Sequence, residues 1–191
     1  MINKIINEIT DILKVEDKVL IAIDGRCASG KTTFSETLKN ELLSKHTEST
    51  VIHIDEFFLR PEQRTKERLE KAGENIDHER FLEKVLLPIK ENKEVKYQPF
   101  DCSVFRLGEE KTVEIKEVII IEGSYSLHQN LKDFYNLKIF LTSKYETRLE
   151  RILKRNGEKM LQMFKDRWIP MEEKYFETFK IAESCDYIIE T

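Results

Sequence analysis

The chain has 191 residues, 40% of them hydrophobic and 36% charged, and carries a net charge of −4. This is the composition of one highly charged globular domain, and it excludes a disordered chain. Lys and Arg are spread without a dense block and no run approaches the roughly 20 apolar residues of a membrane span, so neither nucleic acid nor a membrane is expected as a partner.

Three widely separated cysteines, Cys27, Cys102 and Cys185, and four scattered histidines, His46, His53, His78 and His128, show no zinc-knuckle or redox spacing. Reduced thiols in a cytoplasmic protein follow from that pattern.

The chain opens with Ile2, Ile5, Ile6, Ile9, Ile12 and Leu13 at helical spacing. Acidic residues interrupt this pattern and no small-residue cleavage site follows, so it reads as a helix packed on the domain rather than a secretion signal. Beyond it, short Val- and Ile-rich runs at 19–23, 51–54, 118–121, 137–141 and 187–189 alternate with helical patterns at 31–45, 62–72, 77–90, 144–156 and 158–180. Continuous apolar strands separated by helices specify a parallel sheet covered on both faces, here within a single domain spanning 1–191. Asp77 reads as an N-cap, and the weaker stretches 95–97 and 112–115 as a hairpin outside the sheet. Trp168, Pro170, Tyr175 and Phe176 read as residues that pack the last helix on the core.

Between the first strand and the first long helix lies Gly25-Arg26-Cys27-Ala28-Ser29-Gly30-Lys31-Thr32, followed by Thr33. It fits G-x-x-x-x-G-K-[ST], the phosphate-binding loop. Its glycines let successive N–H groups turn inward around phosphate oxygens, and the helix that follows aims its positive end at the anion. Lys31 places a point charge on the β- and γ-phosphates, Thr32 offers a hydroxyl to Mg²⁺, and Cys27 reads as a small filler. Two more strands end in acids, Asp55 after 51–54 and Glu122 after 118–121. If both strands flank the loop-bearing strand, one carboxylate can hold Mg²⁺ while another accepts the proton of an attacking hydroxyl. Arg148, Arg151 and Arg155 recur at three and four residues and share a helix face. Such a row suits a phosphoryl group in transfer or, beside Glu146, Glu150 and Glu158, a solvated salt-bridged surface.

Six segments in this order, IAIDGRCASGKTTF (21–34), VIHIDEFFLR (51–60), NIDHERF (75–81), YQPFDCS (97–103), IIIEGSYSLH (119–128) and TRLERILKR (147–155), resemble the uridine kinase group of P-loop kinases. That group also takes in pantothenate kinase and phosphoribulokinase. The resemblance implies the P-loop NTPase fold: a five-stranded parallel sheet with helices on both faces, a small hairpin near the acceptor pocket, and a helical lid at about 143–165. It further implies Mg²⁺, ATP or GTP as phosphate donor, and a nucleoside, uridine or cytidine first, as acceptor. Asp55 takes the place of the catalytic base, Glu122 of the acid near Mg²⁺, Asp77 of the aspartate holding ribose hydroxyls, and the three arginines of lid cations. Phe58, Phe100 and Arg106 fall on the acceptor side.

The segment 100–106 departs from the Tyr-Asp-Phe and following histidine that contact the pyrimidine in uridine kinases. Phe100 can still stack on a base, but the hydroxyl and imidazole that would read its edge are missing. A kinase for pantothenate or a sugar phosphate, and a non-catalytic nucleotide switch, therefore stand as alternatives; no Asn-Lys-x-Asp guanine-reading sequence supports the switch. Homologous enzymes assemble, so a homo-oligomer is compatible with the resemblance, although no surface stripe demands one.

Overall fold

The computed structural model describes residues 1–191. Its main sheet is built from β1 (Val19–Gly25), β2 (Ser49–His53), β7 (Val118–Glu122), β8 (Leu137–Thr142) and β9 (Tyr187–Glu190). These five strands lie in the order β2-β7-β1-β8-β9, and every pairing is parallel. The sequence places all five correctly. β1 and β7 are buried throughout, whereas the edge strands β2 and β9 are partly exposed.

Alternation along each strand sorts side chains to two faces. Leu20, Ala22, Ile119 and Ile121 join one apolar cluster, together with Phe81, Val85, Leu86, Ile89, Tyr175 and Phe176. These six come from a helical stretch comprising α4 (His78–Phe81), a wide turn at Leu82–Leu86 and α5 (Leu87–Lys90), and from α7 (Ile169–Phe179). Val19, Ile21, Ile23, Val118 and Ile120 join the other cluster, with Ile5, Ile6 and Ile9 of α1 (Ile2–Leu13) and Leu38 and Leu42 of α2 (Lys31–Ser44). Each fully buried Ile or Leu contributes on the order of 2 kcal/mol, so the sandwich is held mainly by these two layers.

Two helical stretches widen into π-turns, at Leu82–Leu86 and Phe164–Trp168, and each lies two residues before a proline, Pro88 or Pro170. A proline inside a helix lacks the N–H and presses its ring on the carbonyl four residues earlier. Those carbonyls, of Lys84 and Asp166, fall inside the widened turns.

The region expected to be helical over 62–72 forms only a short 3₁₀ turn at Pro61–Gln63 and α3 (Lys66–Leu69), capped by Thr65. The expected hairpin is present as β3 (Val95–Tyr97) against β6 (Lys111–Val113), and it extends into β4 (Phe100–Asp101) against β5 (Arg106–Leu107).

β1 runs two residues further than its apolar run, through Asp24 and Gly25, and Asp24 is buried inside it. One Asp24 oxygen accepts from the N–H groups of Gly25 (2.7 Å) and Tyr125 (3.1 Å); the other accepts from Leu127 N–H (2.9 Å) and the Tyr175 hydroxyl (2.8 Å). The loop after β7 and helix α7 are thereby fixed to the strand that carries the phosphate loop. Gly25 follows at φ 141°, where a Cβ would lie 2.0 Å from the Leu141 carbonyl, so only glycine fits this close approach to β8.

Candidate active site

The phosphate loop leaves β1 at Gly25 and enters α2 at Lys31, with Ala28 and Gly30 at left-handed φ values of 57° and 90°. Lys31 is buried, and its ammonium donates to the carbonyls of Gly25 (2.8 Å) and Arg26 (3.0 Å) and to Ser124 Oγ (3.3 Å). Its charge is thus held beneath the loop where phosphate oxygens would sit.

β7 lies between β1 and β2, in a register that sets Glu122 beside Ile23 on one side and His53 on the other. Only one of the two acid-bearing strands therefore flanks β1 directly. Asp55 still reaches the loop because β2 passes straight into a tight turn, Ile54–Phe57, that folds it over the end of β7. The contact with Gly123 shows how close it comes: a Cβ there would meet Asp55 Oδ1 at 3.0 Å and Ile54 Cγ2 at 2.7 Å, and φ is 131°.

Glu122 Oε1 accepts from the Thr32 hydroxyl (3.2 Å) and contacts His53 Nδ1 (2.5 Å). The bond to Glu122 raises the His53 pKa, against desolvation. Surrounding protein desolvates Asp55 and raises its carboxyl to about 6, Lys31 opposing and Glu122 and Glu172 adding to the rise. Its side chain nevertheless opens to solvent in the cleft. The Thr32 hydroxyl and the Glu122 and Asp55 carboxylates form an all-oxygen donor set, which fits a hard cation such as Mg²⁺.

These groups line a cleft of about 830 Å³ at the carboxyl ends of the strands, where open α/β sheets take ligands. Of the residues marked by the sequence, Cys27, Ala28, Gly30, Lys31, Thr32, Thr33, Asp55, Phe58, Glu122, Arg151 and Arg155 face it.

Others lie outside it. Asp77 is buried as the N-cap of α4, accepting from Arg80 N–H (3.2 Å) and lying 3.3 Å from Arg80 Nε and 3.7 Å from Arg60 Nε. Phe100 is buried in β4 behind Phe105, and Arg106 is an exposed residue of β5 opposite Asp101. The arginine row divides along α6 (Tyr145–Met163). Arg148 is buried under the loop, 3.6 Å from Glu173 and 3.8 Å from Cys27 Sγ. Arg151 donates to the Ala28 carbonyl (3.0 Å), and Arg155 remains exposed beside Asn156.

Sequence reasoning missed several wall residues. Trp168 does not pack into the core; it lines the cleft edge-on to Phe164, with Met160 and Met163 beside it. Arg64, Asn75, Cys102, Phe105, Ser124, Tyr125, Asn156 and Glu172 complete the lining. Asn75, Ser124 and Tyr125 lie inside the segments 75–81 and 119–128, whereas Arg64, Phe105, Trp168 and Glu172 belong to no local motif and reach the cleft only through the fold. Helix α6 breaks at Gly157, whose φ is 79°.

The fold also brings together two histidines that are far apart in the sequence. His78 and His128 stack with ring centroids 4.0 Å apart, next to Glu74. Asn130 N–H donates to His128 Nδ1 (3.3 Å), so the proton sits on Nε2, facing Glu74 Oε1 at 3.9 Å. His78 Nε2 lies 3.1 Å from the same oxygen, with Asn130 Nδ2 at its Nδ1. Of the two ring nitrogens near Glu74, only that of His78 is within hydrogen-bonding distance; His128 Nε2 is buried without a hydrogen-bond partner.

The family model described as phosphoribulokinase / uridine kinase family matches residues 20–160. The chain belongs to that family. A uridine kinase of Ureaplasma parvum is 30% identical over 186 residues, covering 88% of this chain and 86% of that one. Uridine-cytidine kinase B of Dictyostelium discoideum is 30% identical over 145 residues, 72% of this chain and 58% of that one. Among solved structures, a possible uridine kinase from Bacillus stearothermophilus superposes with a TM-score of 0.72 at 19% identity, covering 96% of each chain. A D-glycerate 3-kinase from Cryptococcus neoformans superposes with a TM-score of 0.67 at 13% identity, covering 100% of this chain and 95% of that one. At these identities the superpositions establish the P-loop kinase fold, and no more. No helix is long and apolar enough to cross a membrane.

Proposed function

We propose that the protein transfers the γ-phosphate of ATP or GTP to a sugar hydroxyl of a nucleoside, with uridine and cytidine as first acceptors. The observation that carries this reading is the meeting of Lys31, Thr32, Glu122 and Asp55 at one end of a single cleft. Kinship to uridine kinases supports the acceptor class.

In this reading the loop amides and Lys31 hold the phosphates, while Thr32, Glu122 and Asp55 would hold Mg²⁺. The cation, when bound, neutralises charge on the β- and γ-phosphate oxygens. Asp55 accepts the proton of the acceptor hydroxyl, whose oxygen bonds to the γ-phosphorus as the bond to the β-phosphate oxygen breaks, releasing the diphosphate. Arg151 and Arg155, on the segment 143–165 acting as a lid, balance the spreading negative charge. Asp77 serves the acceptor side indirectly, by fixing α4 and Arg80.

A second acceptor class is favoured by one observation. Arg64 lines the cleft, flanked by the rings of Phe100 (5.6 Å) and Phe105 (5.3 Å), and donates only through Nε, to the Leu59 carbonyl (2.8 Å). A guanidinium with no carboxylate partner suits an acceptor bearing its own anion, such as pantothenate or a sugar phosphate.

The test is ADP release from Mg²⁺-ATP across nucleosides, pantothenate and phosphorylated sugars, for the wild type and Asp55→Asn. Uridine- or cytidine-dependent release, lost in the variant while ATP binding persists, is the expected result. Turnover only with an anionic acceptor moves the assignment to the second class. Near-normal turnover by Asp55→Asn removes Asp55 as the base.

A further inference from the structure

Glu172, in the first turn of α7, takes no part in the transfer described above, yet it is almost fully buried against the phosphate loop. One of its oxygens accepts from the Cys27 N–H (2.9 Å), a backbone donor of the loop itself. The other accepts from Ser124 Oγ (2.9 Å), the same hydroxyl that receives the third hydrogen bond of Lys31. The four groups form a continuous chain: Lys31 ammonium, Ser124 hydroxyl, Glu172 carboxylate, Cys27 amide. A loop amide and a buried ammonium are the groups that a phosphate-binding loop presents to a phosphoryl oxygen.

Its neighbour Glu173 behaves differently. It pairs through both oxygens with Arg26 (2.8 Å each) and lies 3.6 Å from Arg148, which clamps α7 and α6 to the loop without touching a loop amide.

We propose that Glu172 is a resident anion of the phosphate site, occupying hydrogen-bonding positions that the γ-phosphate must take over. It thereby sets how tightly the site holds a triphosphate relative to a diphosphate. The inference rests on the phosphotransferase reading but is independent of the acceptor. Two anions drawn to the same loop amide, one of them linked to the ammonium through the Ser124 hydroxyl, repel each other, and the repulsion grows with the charge at the γ position. A diphosphate, held by the amides at the start of α2, meets less of it.

Glu172→Gln keeps the shape and an acceptor oxygen but removes the charge. Calorimetric titration with the Mg²⁺ complex of the β,γ-imido analogue of ATP should show binding about tenfold tighter than wild type, with ADP affinity changed less than about threefold. Glu173→Gln should lower thermal stability without that selective gain. In wild-type protein the analogue, and not ADP, should increase amide exchange across 169–175, a readout that does not depend on the variant folding. Weaker or unchanged analogue binding by folded Glu172→Gln, equal tightening of both nucleotides, or identical exchange with both ligands would overturn the inference. Wild-type protein that binds neither nucleotide would overturn the phosphate-site reading as well.

Discussion

At the phosphate end of the cleft, Lys31, Thr32, Glu122 and Glu172 each have a hydrogen-bond partner within 3.3 Å, supplied by backbone or by one another. The remainder of the lining, where the proposed acceptor would sit, includes Phe58, Phe105, Met163 and Trp168, and the cation among them, Arg64, has a single backbone partner. The first end is rigid because a buried charge must be fully satisfied to persist. The second is held by apolar contact and ring faces, which tolerate rearrangement. Chemistry shared across a family belongs at the rigid end, and substrate choice at the adaptable one.

The largest expected effect breaks the rigid end at its charge. Lys31→Ala should lower kcat by about a thousandfold, the scale of losing a buried donor to transition-state charge. Unchanged kcat would contradict the whole reading. Next comes Asp24→Ala, which touches no ligand but leaves four donors without an acceptor in a dry interior. Thermal or urea unfolding should register a loss of roughly 3–5 kcal/mol. A loss below about 1 kcal/mol would mean that α7 and the loop after β7 are fixed by packing alone.

The contrast also predicts a pH limb. Desolvation raises the Asp55 carboxyl to about 6, and only its ionised form can accept the hydroxyl proton. The kcat/KM for Mg²⁺-ATP, which reports the enzyme before the cation is bound, should therefore be level above that value and fall about tenfold per pH unit below it. A profile flat from pH 8 to 5 would assign the proton elsewhere.

How far each end could be read from sequence follows from the same difference. The phosphate loop is eight consecutive residues, and Val- and Ile-rich runs announce the strands that present it, so Lys31, Thr32, Asp55 and Glu122 were all legible. Asp24 was not recognised as a structural anchor because its partners, Tyr125, Leu127 and Tyr175, are about 100 to 150 residues away in sequence. Glu172 was hidden among the other acids of a helix whose burial depends on how α7 seats against the loop. The hydrophobicity of Trp168 points to the core, since nothing local reveals that the π-turn before Pro170 faces the cleft. The stretch 62–72 has helical composition but little apolar surface to bury, so only short turns form.

The smallest expected effect tests the adaptable end. Phe105 stands at left-handed φ 53° at the tip of the inner hairpin; it is half exposed, and its ring faces Arg64 at 5.3 Å. Phe105→Ala removes little buried area, so stability should change by less than about 1 kcal/mol, while the acceptor loses a ring face and Arg64 loses a brace. The acceptor KM should rise about tenfold with the ATP KM unaltered, the pattern of lost binding at one end of the cleft. If the ATP KM rose equally, the two ends would be coupled through the hairpin, and the division between a fixed phosphate site and an adaptable acceptor site would fail. If neither moved, the acceptor would lie on the opposite wall, against Trp168 and Met163, and the lid rather than the hairpin would select the substrate.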